Sequence, residues 1–166
     1  MSCDLRESEM PGEHYTGDIG DVLHSGEWDL MVAHPPCTYL TVSGARWLYD
    51  DRFPTRWDDL RAGAEFFRMF LDADVPRIAV ENPQMMFQHT KIRKPDQYVQ
   101  PWEFGHGETK KTGLWLKNLQ TLSPTDVVMG REARVHRMPP GPEREKERSR
   151  FFPGIAAAMA AQWGNL

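Results

Sequence analysis

Two short apolar runs, separated by a segment with helical spacing, constrain the fold of this chain more than any other feature. The first run covers residues 28–33 and is followed by Pro35 and Pro36, and the second covers residues 77–81. Both runs are typical of buried strands in a parallel sheet. Between them, residues 58–73 carry apolar side chains at helical spacing and acidic ones near the start, which predicts a helix. The order predicts an α/β fold.

The two predicted strands place chemically useful side chains at one edge of the sheet. A strand, helix, strand unit forms a right-handed crossover, so its two strands run parallel and end at the same edge. Cys37 follows the first strand and Glu81 ends the second. Open α/β sheets bind ligands outside the carboxyl ends of their strands. We therefore expect Cys37 and Glu81 to lie in a ligand site.

The rest of the chain is less regular but fits one domain, residues 1–166. Residues 112–117 predict another strand, and residues 152–163, which are rich in alanine, predict a helix. The interval 123–150 is polar and proline-rich, and its portion 138–150 predicts a linker or mobile loop.

Composition excludes several classes of protein. The two cysteines, Cys3 and Cys37, cannot form a disulfide framework, and the sequence contains no Cys-x-x-Cys or His-x-x-x-His spacing. The first residues are polar, and no window resembles a signal peptide or a membrane span. We expect a reduced, metal-free, cytoplasmic protein with no membrane partner.

Charge is distributed unevenly along the chain. Residues 1–83 carry 7 Lys and Arg against 16 Asp and Glu, whereas residues 84–166 carry 13 against 8. The second half is the better candidate for a surface that faces a polyanion. The alternative is that these charges only solvate two faces of the domain.

Cys37 and Glu81 together suggest covalent chemistry on a pyrimidine. Prolines before Cys37 restrict the backbone and so orient its thiol, although a free cysteine can also be a small buried core residue. A carboxylate at a strand end, such as Glu81, is either a catalytic group or an ion-pair partner. A thiolate adds to C6 of cytosine while an acid hydrogen-bonds N3, which makes C5 nucleophilic. Arg46 and Arg77 are candidates for favouring the thiolate.

Four segments carry a resemblance to a known family. The runs WDLMVAHPPCTYLTVSG, IAVENP, KKTGLWLKNL and FPGIAAAMAAQWG follow one another along the chain. The Pro-Pro-Cys and Glu-Asn-Pro segments resemble the nucleophile and glutamate motifs of the DNA cytosine-5 methyltransferases, in particular the small phage-type branch. The resemblance implies a Rossmann-like methyltransferase fold with a mostly parallel sheet. It also implies methylation of DNA at cytosine C5 with S-adenosylmethionine as cofactor, in a bacterial host cell if a phage encodes the chain.

The resemblance assigns roles residue by residue. Cys37 is the expected nucleophile, Glu81 the acid that contacts a flipped cytosine, and Asn82 a residue that positions the glutamate loop. The expected DNA-binding residues are Lys110 and Lys111, which replace the usual arginine, together with Ser43 and Arg46. The expected cofactor-binding residues are Asp4, Asp18, Ile19, Pro35 and Pro36.

The resemblance also predicts what this chain lacks. Self-sufficient family members begin with a strand and a Gly-rich turn that cradle the methionine end of the cofactor, and here Asp4 comes too early for either. We therefore expect an N-terminally truncated fold without its first strand and helix. The missing strand would lie between the strand that leads to Asp4 and the strand that leads to Cys37, so a homodimer or a second subunit could complete the sheet. Loss of the usual use of S-adenosylmethionine is the other explanation.

Residues 118–150 stand where family members carry a target-recognition domain. This short, basic, proline-rich segment predicts phosphate contacts and only a weak or very short sequence preference. Two alternatives to a DNA methyltransferase stay open. One is a catalytically reduced relative that binds DNA, as in anti-restriction, and the other is an enzyme that modifies cytosine with another electrophile or at the nucleotide level. An amino-methyltransferase is disfavoured because His34 occupies the position where an amide or carboxylate is needed.

Overall fold

A computed structural model of the chain describes residues 1–139, 141 and 148–165, with the side chains of residues 135 and 136 left out. It is a mixed α/β structure whose strands form two sheets. The strands are β1 (Ser2–Asp4), β2 (His14–Thr16), β3 (Leu30–Ala33), β4 (Arg77–Pro83), β5 (Gln97–Val99) and β6 (Thr112–Lys117). The larger sheet has the order β3-β4-β6-β5, and β1 pairs with β2 alone.

Helices of very different length connect these strands. They are α1 (Ile19–Leu23), α2 (Arg56–Leu71), α3 (Phe87–Thr90), α4 (Arg134–Arg137) and α5 (Pro153–Trp163), with 3-10 helices at Val42–Tyr49 and Pro101–Glu103. Across the part of the chain that the structure describes, no helix combines the length and the apolar character that crossing a membrane requires.

The predicted strand, helix, strand unit is present. Helix α2 buries Leu60, Ala64, Phe67 and Phe70, which recur at the spacing of one helix face, and two aspartates occupy its first turn. Strands β3 and β4 are parallel, with Ala33 opposite Val80. Their carboxyl ends therefore lie at the same edge, as expected.

The expectation of a mostly parallel sheet is wrong for the larger sheet. Strand β6 runs antiparallel to β4, and β5 runs antiparallel to β6. The predicted strand at 112–117 is present as β6, and it is almost entirely buried. Strand β6 is buried because both faces of the larger sheet are covered. Leu114 and Trp115 point to opposite faces and belong to two different cores.

The two cores lie on the two faces of the larger sheet. On one face, Phe67 of α2 packs edge to face on Trp115, with ring centroids 5.0 Å apart. On the other face, Ile155 and Trp163 of α5 pack with Leu114. The sheet is the middle layer between α2 and α5, and this sandwich fixes where β4 ends.

The smaller sheet joins the larger body through its helix and not through strand pairing. Strand β1 is parallel to β2, with Cys3 opposite Tyr15. Ile19 of α1 and Trp28 pack against the core that contains Phe67. Among the described residues, β3 pairs only with β4 and β1 only with β2, so each has one unpaired edge.

The segment 118–150 is held in place over part of its length. The amide of Gly105 donates to the carbonyl of Asp126 at 2.7 Å, and that of Glu132 donates to Gly107 at 2.9 Å. These bonds hold residues 126 and 132 against the loop before β6. Residues 140 and 142–147, which include most of the predicted linker, lie outside the described residues.

Replacing Gly154 with alanine should destabilise the protein, because a Cβ there would lie 1.9 Å from the carbonyl oxygen of Phe104. The start of α5 would have to move away from the loop that contains Phe104 and His106, and we expect a loss of about 1–3 kcal/mol in the free energy of unfolding. Urea denaturation measures the loss. Gly26→Ala is the matched control, since its Cβ would make an ordinary contact at 3.6 Å. Equal stability of the two variants would contradict the packing described for α5.

Candidate active site

Cys37 lies in a tight turn four residues after the end of β3. The amides of Leu40 and Thr41 donate to the Cys37 carbonyl at 3.0 and 3.3 Å, which closes the turn. Pro35 before it is buried, Pro36 is exposed, and Cys37 itself is half-buried. The thiol is thus held in place by rigid backbone on one side and a hydrogen-bonded turn on the other.

Asn82 fastens this turn to the neighbouring strand. Its side chain is only 1% exposed, and its Nδ2 donates to the carbonyl of Pro35 at 2.8 Å. Pro35 and Asn82 are 47 residues apart in sequence, and this bond fastens the start of the Cys37 turn to β4. Backbone hydrogen bonds from Val42 to Gln84 and from Met86 to Leu40 fasten its end. The other side-chain atom, Oδ1, is buried and has no hydrogen-bond partner among the described residues. A free buried acceptor is costly, by about 1–3 kcal/mol, and such groups are common at functional sites.

Glu81 lies next to Asn82 on β4 and is paired with a histidine. Its Oε2 is 3.1 Å from Nδ1 of His34. The Glu81 side chain is 12% exposed, whereas that of His34 is 43% exposed. His34 therefore connects a nearly buried carboxyl group with solvent. An imidazole in this place can pass a proton in either direction.

Lys110 closes the site from the opposite side. Its Nζ donates to the carbonyls of Arg148 and Arg150 at 2.8 and 3.0 Å. We call residues 148–152 the closing segment. Phe151 contacts the His34 ring, with centroids 4.7 Å apart, and Phe152 lies beside Lys110. The closing segment thus covers His34 and Lys110 together.

The charges of this cluster act on one another. Burial raises the pKa of the Cys37 thiol and Glu81 raises it further, while Arg148 and Lys110 act in the opposite direction. Burial likewise lowers the pKa of Lys110, against the opposing effect of Glu81 and Cys37. Burial is the largest cause in both cases. The resting thiol is therefore protonated at neutral pH, and it needs a base before it can attack.

The arrangement supplies the groups that covalent catalysis coupled to proton transfer requires. It contains a nucleophile in Cys37, a carboxyl group in Glu81, a link to solvent in His34 and a cation in Lys110. Over the described residues, no group of three or more His, Cys, Asp or Glu side chains is placed to hold a metal ion.

The structure separates the two lysines that the sequence treats alike. Lys110 lies in the cluster, whereas Nζ of Lys111 lies 4.1 Å from the ring centroid of Tyr98, outside it. Arg46 is exposed and stacks on Trp47 at 4.2 Å, and Ser43 is hydrogen-bonded to Thr41 at 2.9 Å. Ser43 and Arg46 therefore flank the Cys37 turn at the surface and make no described contact with the cluster.

The structure divides the predicted cofactor residues. Pro35 and Pro36 directly precede Cys37, whereas Asp4, Asp18 and Ile19 lie on or beside the smaller sheet. Asp4 accepts a hydrogen bond from the amide of Arg6 at 2.9 Å, and Asp18 caps α1 by accepting from Gly20 at 2.7 Å. The amide of Gly17, which precedes Asp18, donates to the Asp4 carbonyl at 3.0 Å, so the two aspartates belong to one part of the fold. Burial raises the pKa of the nearby Cys3 thiol, and both carboxylates raise it further. Ile19 packs into the core instead. No described contact joins Asp4, Asp18 or Ile19 to Cys37.

Two features of the site escaped sequence reasoning. His34 is one of them, although its sequence position could have indicated a role. It lies between an apolar strand and two prolines, and a titratable side chain at a strand end is a candidate site residue. The closing segment gave no comparable signal, because its bonds to Lys110 use backbone carbonyls, which any residue carries.

The alkylation of Cys37 should show an unusually high midpoint in pH. In a Cys3→Ser background, we expect the rate with iodoacetamide to rise as pH increases, with its midpoint above the ordinary cysteine value, because burial disfavours the thiolate. Glu81→Gln removes a negative charge and should lower that midpoint. The control Glu65→Gln alters an exposed carboxylate on α2 and should leave it unchanged. An unchanged midpoint in Glu81→Gln would contradict the proximity of the two groups.

Lys110→Met should release the closing segment, because the carbonyls of Arg148 and Arg150 lose their donor. We expect faster hydrogen exchange over the closing segment and a loss of about 1–3 kcal/mol in the free energy of unfolding. Mass spectrometry and urea denaturation measure these effects. Lys111→Met is the matched control, with the same change of side chain one residue away and outside the cluster. The assignment fails if both variants behave alike.

Comparisons with known proteins give this chain no family. No model of a protein family matches the sequence, and a search of curated proteins returns no match. Function must therefore be inferred from the geometry of the site and from the motifs that contain its residues, which are His34, Cys37, Glu81 and Lys110.

Proposed function

We propose that this chain is a DNA cytosine C5 methyltransferase that uses Cys37 as its nucleophile. One observation carries the proposal. The parallel strands β3 and β4 bring Cys37 and Glu81 to the same sheet edge, close enough for the charge of Glu81 to raise the pKa of the thiol. The Pro-Pro-Cys and Glu-Asn-Pro motifs that resemble the family stand at these two strand ends.

The protonation of the cluster suits addition to cytosine. The Sγ–C6 bond forms as the thiol loses its proton, and N3 gains a proton as the ring accepts electrons. Glu81 and His34 carry protons between the sulfur and the ring, so the proton lost by the thiol is balanced by the one gained at N3. A thiol that stays protonated at rest is protected from oxidation until substrate is bound. Lys110 stabilises negative charge that develops beside Cys37 and Glu81.

The second half of the reaction regenerates the thiol. S-adenosylmethionine, when bound, supplies the electrophilic methyl group that the activated C5 accepts. After the demethylated cofactor has left, a water molecule from solvent takes the C5 proton as the C5–C6 double bond re-forms and the Sγ–C6 bond breaks. N3 returns its proton to the cluster. The leaving sulfur recovers a proton from the cluster. His34 is the member of the cluster best exposed to carry protons to and from solvent.

The acidic groups of the smaller sheet suit the adenosine part of this cofactor. Asp4 and Asp18 each use one carboxylate oxygen in a backbone hydrogen bond, and the other oxygen has no partner among the described residues. Carboxylate oxygens accept hydrogen bonds from ribose hydroxyls and from an exocyclic amine. Asp4 and Asp18 would therefore hold that part of the molecule.

The division of the strands into two sheets also supports the proposal. The resemblance places a further strand between the strand that ends at Asp4 and the strand that leads to Cys37. Strands β1 and β3 each have one unpaired edge in the described chain. A second subunit or a second copy of this chain that completes the sheet fits these edges.

A mechanism-based trap tests the function. We expect a covalent adduct when the protein meets single-stranded or duplex DNA that contains 5-fluorocytosine together with S-adenosylmethionine, because fluorine cannot leave C5 as a proton does. Denaturing electrophoresis and mass spectrometry detect the adduct. Cys37→Ser should abolish it, whereas Cys3→Ser should not, which makes Cys3→Ser the matched control. DNA binding without an adduct would instead favour the DNA-binding alternative.

A further inference from the structure

A surface cavity lies at the end of the larger sheet away from Cys37. It has a volume of about 560 Å³ and opens between the end of α2, the connection after α3 and the end of β6. Ile78 lies in its wall and precedes Glu81 on β4 by three residues, which is about 10 Å along a strand. The cavity is therefore separate from the candidate active site.

Cations dominate the lining of this cavity. Arg68, Lys91, Arg93 and Lys117 face one carboxylate, Asp72. Arg93 is paired with Asp96 at 2.8 Å, but no described carboxylate lies within ion-pair distance of Arg68, Lys91 or Lys117. This excess stands out in a chain whose net charge is −4. Positive charges gathered around a concave surface attract an anion.

Hydrogen bonds within the protein use only some of the N–H groups of these cationic side chains. Arg68 donates to the carbonyl of Thr90 and Lys117 donates to that of Ala73 at 3.1 Å, which suits the negative end of α2. Each of these bonds uses one donor of a group that has several. No described hydrogen bond or ion pair uses the side chain of Lys91.

The backbone at the rim is strained where it holds two of the lining residues. Lys91 and Asn118 have φ values of 56° and 53°, and they are the only residues other than glycine with positive φ in the described chain. Asparagine tolerates this conformation, whereas lysine is unusual there and glycine is the common choice. A lysine kept in this position points to a use for its charge.

We infer that this cavity binds a small phosphate-bearing anion of nucleotide size. Phosphate oxygens would accept from Lys91, from Arg68 and from Lys117, which present free N–H groups to the cavity. Half-buried Leu71 and Leu116 add an apolar wall against which the body of such a molecule would pack. A volume of this order suits a small ligand. The site is independent of Cys37, and its ligand acts at a distance from the cluster.

Isothermal titration at fixed ionic strength tests this site with inorganic pyrophosphate and with ATP as probes. Lys91→Gly removes the charge and relieves the left-handed strain, so the variant should fold with unchanged or greater stability. We expect it to weaken the binding of both probes by about tenfold or more, as loss of a charged hydrogen bond does. Lys94→Gln, which removes a charge next to the cavity but outside its lining, should bind normally. Cys37→Ser should also bind normally.

Three outcomes would overturn the inference. Absence of probe binding to the unaltered protein is one, and equal weakening by Lys91→Gly and Lys94→Gln, which would indicate general surface charge, is another. The third is binding of a DNA duplex in place of the small probes, with loss in Lys91→Gly, because the phosphate source would then be a nucleic acid backbone.

Discussion

The hydrogen bond from Asn82 to the carbonyl of Pro35 is the interaction on which the candidate active site depends. Parallel pairing of β3 and β4 brings the two strand ends together, but pairing stops at Ala33, four residues before Cys37. Asn82, which is almost completely buried, bridges that gap before Cys37, and backbone hydrogen bonds from Val42 and Met86 continue the connection after it. Because a buried amide has no water to replace its partner, the turn and the strand keep one relative position. The Cys37 thiol and the Glu81 carboxyl group are therefore held in place relative to each other.

The same burial that fixes the site also sets its resting charge. Taking a thiol and an ammonium out of water favours the neutral form of each, as the opposite shifts of Cys37 and Lys110 show. Glu81 opposes the effect of burial on the pKa of Lys110, because the two groups carry opposite charge. The closing segment keeps Lys110 away from water, because two of its backbone carbonyls accept hydrogen bonds from the Lys110 ammonium group. A substrate that displaced the closing segment would change burial and charge in one step.

Sequence reasoning reached the elements whose apolar pattern is strong and missed what depends on distance or direction. The helix that became α2 and the run that became β6 were evident from side-chain spacing. The antiparallel direction of β6 was not, since a strand covered on both faces has the same apolar pattern whichever way it runs. Lys110 and Lys111 are equivalent in sequence, and only the folded backbone before β6 directs one to the closing segment and the other to Tyr98. The pairing of Glu81 with His34 joins residues 47 apart, which no local pattern encodes.

The two sheets divide the proposed reaction between two bodies that are joined by packing. Cys37 and Glu81 belong to the larger sheet, while Asp4 and Asp18 belong to the smaller one, which is attached through Ile19 and Trp28. A methyl donor held by the smaller sheet must reach C5 of a base held by the larger one, and a displacement of about 1 Å costs about a hundredfold in rate. Side-chain packing alone sets that distance less firmly than a continuous hydrogen-bonded ladder would. Pairing of a further strand with the open edges of β1 and β3 would therefore raise activity by fixing the two groups relative to each other, without adding a catalytic residue.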